Sequence, residues 1–259
     1  MAAFDIERIL AATMVRHVEY RSEAVSTNDL AIALATSGAS VFPSLTVTPR
    51  QTGGRGRGAN LWWAADGALT FSLTIDSQAI SLEPRNWPKM SLTIGLSVCE
   101  MLEKLVADRR VHLKWPNDVY LERRKVSGVL VETIAARPEL IVIGIGLNVN
   151  NSFADAPVEL RSTATSLIDI TAKSFELTDV LIRQLQQLEL RITSVTEDAA
   201  DLAEAWRARC MLEGRTLSIE LGQRRLTGVC HGIDDEGALI IQTEGGVERC
   251  FAGVISQIL

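Results

Sequence analysis

Residues 44–76, SLTVTPRQTGGRGRGANLWWAADGALTFSLTID, hold two strand-like runs, SLTVTP and LTFSLTID, on either side of a passage rich in glycine and arginine. Alternation with a period of two is what a strand with one face toward a core produces, so the passage connects two strands of one sheet. Its centre, RQTGGRGRGANLW at 50–62, carries three arginines and four glycines and runs into Trp62 and Trp63. Glycine lets a backbone approach a ligand closely and aim several N–H groups at it, and arginine adds fork-shaped donors matched to phosphate or carboxylate. The loop therefore reads as an anion-binding element. Because a strand follows it and not a helix, it fits neither a Walker loop nor a dinucleotide fingerprint. An RNA-contacting arginine–glycine segment and a merely soluble surface turn are the two plainer readings of the same residues.

Outward from this stretch, Ser26-Thr27-Asn28-Asp29 ahead of LAIALA is a helix start, since a Ser or Thr oxygen can accept from the orphan amides of a first turn. Apolar residues at helical spacing from Pro88 to about Ala107 predict a core-packed helix. Three strand-like runs follow: VHLKW (111–115), KVSGVLVET (125–133) and ELIVIGIGLNV (139–149), the last nearly all apolar and therefore central in the sheet. The LERR link predicts a hairpin-like reversal after Tyr120. Residues 178–195 and 198–212 read as two amphipathic helices, after which TLSIEL, RLTGVCHGI, ALIIQT and VERCFAGVI are short alternating runs parted by glycine turns. The expected fold is α+β, a central mixed or antiparallel sheet flanked by helices over 1–212, with a small β-barrel over 213–259.

Composition narrows the function. With 259 residues, 47% hydrophobic and 22% charged, the chain has ample material for a core and is not of disordered type. The net charge of −6 supplies no global field for nucleic acid or anionic lipid, so any anion site must be local. MAAFDIERIL carries Asp5 and Glu7 where a signal peptide needs positive charge, and no run is long enough to span a bilayer; a cytoplasmic protein without membrane attachment is expected. Cys99, Cys210, Cys230 and Cys250 lie far apart and away from His17, His112 and His231, which argues against zinc or another tightly bound transition metal. No Gly-x-Ser-x-Gly elbow supports a hydrolase.

Three further motifs carry chemistry. In KWPND (114–118), Pro116 fixes a turn while Lys114, Asn117 and Asp118 place a cation, an amide and an anion in one corner. A magnesium nucleotide has use for all three, Lys for phosphate, Asn for an amide or hydroxyl contact and Asp for the metal or its waters. A surface ion pair, worth about 0–1 kcal/mol, is the plainer alternative. In KVSGVLVE (125–132), Lys125 at the mouth of an apolar strand, with Gly128 leaving room, suits an apolar ligand with one negative end; an edge-strand lysine that blocks aggregation is the alternative. GIGLN (144–148) ends the central strand with small residues and an amide, again suited to a close ligand.

Taken in order, STN (26–28), RQTGGRGRG with Asn60 and Trp62, KWPND with Tyr120, KVSGVLVE, GIGLNVN (144–150) and HGIDDEGAL (231–239) resemble the biotin–protein ligases, also called biotin–acetyl-CoA-carboxylase ligases, over practically the whole chain. The resemblance implies a class II synthetase-like catalytic domain, an SH3-like C-terminal barrel, and a two-step reaction. Biotin and Mg-ATP give biotinyl-5′-AMP and pyrophosphate, and the biotinyl group then passes to one lysine of a biotin carboxyl carrier domain. By the same resemblance Ser26, Thr27, Asn28 and Gln51 hold the polar ring of biotin, Gly54, Arg55, Gly56 and Arg57 wrap its anionic end, and Gly128 and Gly144 pack against it. Lys125, Arg55 and Arg57 are the implied catalytic cations. Lys114, Asn117, Asp118, Gly146 and Asn148 address ATP, with Asp118 on its magnesium and Trp62 beside the nucleotide; Trp62 as a plain core aromatic stays open.

Trp63-Ala64-Ala65 departs from the family's small polar residue and proline, and residues 150–167 offer only Phe153 where some members place a tryptophan over adenine. Trp63 itself is assigned to packing. The stretch before Ser26 is too short for the helix-turn-helix domain some members carry, so no DNA-binding role is expected, and the chain is expected as a monomer or homodimer. A lipoate–protein ligase and a non-catalytic RNA-binding module are the competing functions.

Overall fold

A computed structural model describes residues 3–38, 41–154, 156–197 and 201–258. Helix α1 (Ile6–Ala12) and strand β1 (His17–Tyr20) precede helix α2 (Thr27–Thr36), strand β2 (Ser44–Thr48), the two-residue strands β3 (Gly54–Arg55) and β4 (Leu61–Trp62), and strand β5 (Leu69–Asp76). Helix α3 (Trp87–Leu105) leads into β6 (Val111–Lys114), β7 (Asp118–Leu121), β8 (Arg124–Ile134) and β9 (Arg137–Leu147). Helices α4 (Val158–Arg161), α5 (Leu167–Thr171), α6 (Leu177–Thr196) and α7 (Asp201–Arg209) come next, then strands β10 (Thr216–Leu221), β11 (Arg224–Ile233), β12 (Leu239–Thr243), β13 (Gly246–Cys250) and β14 (Val254–Ile258).

Seven strands form one mixed sheet in the order β1-β2-β5-β9-β8-β7-β6, parallel between β1 and β2 and antiparallel elsewhere. As the glycine loop implied, its flanking strands β2 and β5 are direct neighbours. The apolar run of β9 is central, and its two faces explain the layers. Ile141, Ile143, Ile145 and Leu147 point into the main core with Leu96 of α3 and Leu185 of α6. Leu140 and Val142 point the other way, under Ala31 and Ala35 of α2. On that second face the residues then shrink to Gly144 and Gly146, and this is where the sheet is left uncovered by helix. The α3–α6 packing is fastened by Glu100, which accepts from Gln187 Nε2 and Arg191 Nε, both at 2.7 Å.

Several elements differ from the sequence expectation. The reversal expected after Tyr120 falls at Glu122 and Arg123, both at positive φ, and the strand ahead of it, DVYL as β7, is an element that the sequence reading does not contain, four residues being too short a pattern beside a proline turn. Helix α7 begins at Asp201, and residues 198–200 of the expected helix lie outside the described residues. VERCFAGVI is two strands, broken at Gly253 with φ +144°. The five C-terminal strands form an antiparallel sheet in the order β13-β12-β11-β10-β14, curled by register shifts at Ser218/Ile219 and Cys230/Ile233. Its inward residues Leu217, Ile219, Leu239 and Ile241 join the main core. The four cysteines are free. Among the described residues no helix is long and apolar enough to cross a membrane.

Candidate active site

One row of register partners crosses the sheet from β2 to β6: Thr48, Thr70, Gly146, Gly128, Asp118 and Lys114. Directly opposed residues of antiparallel strands project from the same face, so this row sets short and charged side chains side by side. The next row holds Ser72, Gly144 and Leu130. Of these two rows all but the buried Thr48 and Ser72 floor a cavity of about 380 Å³, roofed by the glycine loop and walled by the start of α2. That volume lies in the range of small-molecule sites, about 300–1,000 Å³.

The start of α2 is held to the floor through polar side chains. Ser26 caps the helix by accepting from Asp29 N, as the sequence predicts. Gln51 Oε1 accepts from Thr27 N at 2.9 Å and Thr27 Oγ1 at 3.2 Å. Ser72 Oγ stands 2.8 Å from Thr27 Oγ1 and 2.6 Å from Asn28 Oδ1. Asn28 lies over Gly144, where any Cβ would overlap its carboxamide oxygen, and Gly146 is likewise covered by the Trp62 indole. Trp62 Nε1 is buried there without a partner.

Three cations surround one carboxylate. Lys125 Nζ is 2.7 Å from Asp118 Oδ1 and 5.8 Å from the centre of the Trp62 ring. Burial lowers the Lys114 ammonium below its ordinary value, Asp118 opposing and Lys125 adding to the shift; Lys114 Nζ donates to Tyr120 Oη at 3.4 Å. Burial also lowers Arg57, again against the pull of Asp118, and Arg57 Nη2 donates to Gly253 O at 3.2 Å. Excess positive charge held partly out of water is a standing demand for an anion. Arg55 is different: its guanidinium forks onto both oxygens of Glu132 at 2.9 and 2.8 Å and reaches Asp29 at 2.6 Å.

Of the residues singled out in the sequence, Ser26, Thr27, Asn28, Gln51, Arg55, Gly56, Arg57, Trp62, Lys114, Asn117, Asp118, Lys125, Gly128, Gly144 and Gly146 line this one cavity. Gly54 and Asn148 do not. Gly54 pairs with Trp62 behind the loop, and Asn148 is buried with its Oδ1 accepting from Asn151. Asn117 lines the cavity, yet its Nδ2 is committed to Val129 O at 2.6 Å. Trp63 packs on Phe153 with ring centres 5.1 Å apart, so both aromatics belong to a small apolar cluster. The sequence reading missed Asn60, Thr70 and, above all, Gly253, Val254 and Ile255, which bring the C-terminal sheet into the wall. Trp115 Nε1 makes a second bond across that junction, to Gly237 O at 3.1 Å.

Comparison with known proteins gives matches over the same residues. The model of the biotin/lipoate A/B protein ligase family matches residues 26–148, and that of the biotin protein ligase C-terminal domain matches 214–256. A biotin–acetyl-CoA-carboxylase ligase of Mycobacterium tuberculosis is 33% identical over 241 residues, 92% of this chain and 88% of that protein. One of Paracoccus denitrificans is 25% identical, covering 87% of this chain and 93% of its own. Among solved structures, the biotin protein ligase of Aquifex aeolicus in complex with biotin and ATP aligns with a TM-score of 0.79 at 30% identity, over 93% of this chain and 98% of that one.

Proposed function

The chain belongs to the biotin protein ligases of the biotin/lipoate A/B protein ligase family, and on that premise we propose that it activates biotin and joins it to a carrier protein. In the first step the biotin carboxylate attacks the α-phosphorus of Mg-ATP, giving biotinyl-5′-AMP and pyrophosphate. In the second, the ε-amine of one lysine on a biotin carboxyl carrier domain attacks the acyl carbon, and AMP leaves with the C–O electron pair. The observation that carries this reading is the ring of Arg57, Lys114 and Lys125 around the lone Asp118 carboxylate, above a floor of glycines.

Two anions must meet in the first step, and their repulsion is the electrostatic part of its barrier. Lys125 and Arg57 offset it where the carboxylate joins the α-phosphate, and Lys114 receives the outer phosphates. Fixed cations in a site shielded from water can each contribute about a hundredfold or more in rate. Gln51, Thr27, Asn28 and Ser26 take the polar ring of biotin, and Gly144 and Gly128 let it lie close to the sheet. Trp62 offers its buried N–H and ring to the nucleotide, while Asn117 and Asn148 act at one remove by fixing the strands around it. Asp118 is a single carboxylate, which suits a magnesium ion that arrives on the nucleotide phosphates and keeps most of its waters. Residues 1–212 hold the substrates and 213–259 complete their enclosure.

Mass spectrometry of a carrier domain incubated with the protein, biotin and ATP tests this. One added biotinyl group is expected, and Lys125→Ala slows its appearance about a hundredfold or more. A carrier that keeps its mass, or one that takes lipoate in place of biotin, overturns the reading.

A further inference from the structure

We infer that Glu132 is a positioning residue that latches the glycine loop shut through Arg55, leaving Arg57 as the loop's anion-facing cation. The sequence motif ends on this glutamate, and nothing in the chemistry above uses it. In register it stands opposite Val142, one row beyond the cavity floor on the same face. Its two carboxylate oxygens take the two ends of the Arg55 fork at 2.9 and 2.8 Å, and Oε2 also accepts from Asn28 Nδ2 at 2.7 Å. Asn28 in turn donates to Leu130 O and accepts from Ser72. One carboxylate thus ties three pieces together: the loop, the start of α2, and strand β8.

Charge separates the two arginines of the loop. Arg55 faces two carboxylates, Glu132 and Asp29, and the hydrogen bond to Glu132 is the leading reason its guanidinium is held above its ordinary value. Such a group adds no net attraction for a phosphate. Arg57 has no carboxylate in ion-pair contact among the described residues and donates only to a backbone carbonyl. A bidentate arginine–carboxylate pair fixes orientation as well as distance, so it suits a clasp. The loop it clasps is otherwise held by few main-chain bonds, among them Gly53 N to Val25 O and Gly56 N to Asn60 O.

The test compares Glu132→Gln, Arg55→Gln and the double variant. Hydrogen exchange of the Gly53 and Gly56 amides in the ligand-free protein is expected to quicken about tenfold in each single variant and no further in the double, as for two groups acting through one contact. Release of biotinyl-5′-AMP without carrier accelerates by a similar factor, and Glu132→Gln raises the KM for biotin while pyrophosphate exchange keeps its kcat within about threefold. Exchange in β5 and β9 must stay unchanged. If Glu132→Gln loosens those strands too, Arg55→Lys, which keeps the charge and loses the fork, carries the same expectation. Unchanged loop exchange, additive effects, or loss of pyrophosphate exchange in Arg55→Gln alone overturns the latch. The kinetic arm rests on the ligase reading and the exchange arm does not: a quickened loop in a protein without biotin-dependent chemistry would sink the ligase reading and leave the latch.

Discussion

Lys114 is a cavity cation whose charge is negotiable. An arginine stays protonated whatever its burial, but a lysine lowered by desolvation loses its proton within reach of alkaline buffers. Its folded-state value lies below the ordinary 10.5, so between the two the unfolded chain binds the proton more tightly. Raising pH through that window therefore lifts the stability contributed by this one group in the ligand-free protein. A bound triphosphate does the reverse to the group, favouring its charged form, and so kcat/KM for ATP should fall over the same window. A fall in kcat/KM for ATP measured across it is the expected outcome, and Lys114→Arg should abolish that trend. Tyr120, pushed up to about 12 by burial, has the opposite sign: above its ordinary 10.0 the unfolded chain gives up that proton first, so its stabilising contribution is lost as pH rises. The cations themselves were legible in the sequence: Arg55 and Arg57 alternate with glycines, Lys114 opens a proline turn, and Lys125 stands at the mouth of an apolar strand. Their partners were not: nothing in KVSGVLVE says that its glutamate takes the fork of Arg55, since that contact spans 77 positions.

Strand β9 divides the sheet into a packed half and a binding half by side-chain size alone. A methyl group at Gly144 meets Asn28, so Gly144→Ala should displace that amide and break its bonds to Ser72 and Glu132. The loss of one or two such bonds costs about 1–2 kcal/mol, lowering the melting temperature by roughly 2–4 °C per kcal/mol, and the displaced amide raises the KM for biotin. Direct titration with biotin measures it. Elements with long, one-sided patterns, α3, α6, β5 and β9, were readable from their periodicity. The short ones, α1, β1, β7, α4 and α5, were not, because four to seven residues hold no more than two turns or two alternations and their place is set by neighbours. Gly54 and Asn148 show the limit of motif spacing: both belong to motifs of the site, yet they brace it from behind.

At the scale of the molecule, the C-terminal sheet is tied to the rest by Arg57 to Gly253 O, Trp115 to Gly237 O, and Arg207 of α7 to Ile233 O and Asp235. Trp115 is fully buried, so Trp115→Phe strands a carbonyl inside the junction and costs about 1–3 kcal/mol. Thermal unfolding should shift down by roughly 2–4 °C per kcal/mol, with ATP affinity falling alongside as the corner at Lys114 loosens. An unchanged melting curve would mean the junction is held elsewhere. The sequence announced a small β-rich unit after Gly214, and the change from helical to alternating pattern made it plain. That this unit lends a wall to the cavity was hidden, since Gly253, Val254 and Ile255 carry no motif and act through backbone and shape.

That wall has a consequence for the order in which the protein becomes useful. A ribosome delivers the start of α2, the glycine loop, KWPND and Lys125 first, and the residues that close over Arg57 only long afterwards. A nascent chain interrupted before Gly253 would carry the reactive cations over a cavity open on one side. Activated ester made there would escape into water before meeting a carrier. On the proposed reading, the wall that would retain it is complete only when synthesis has passed Ile255.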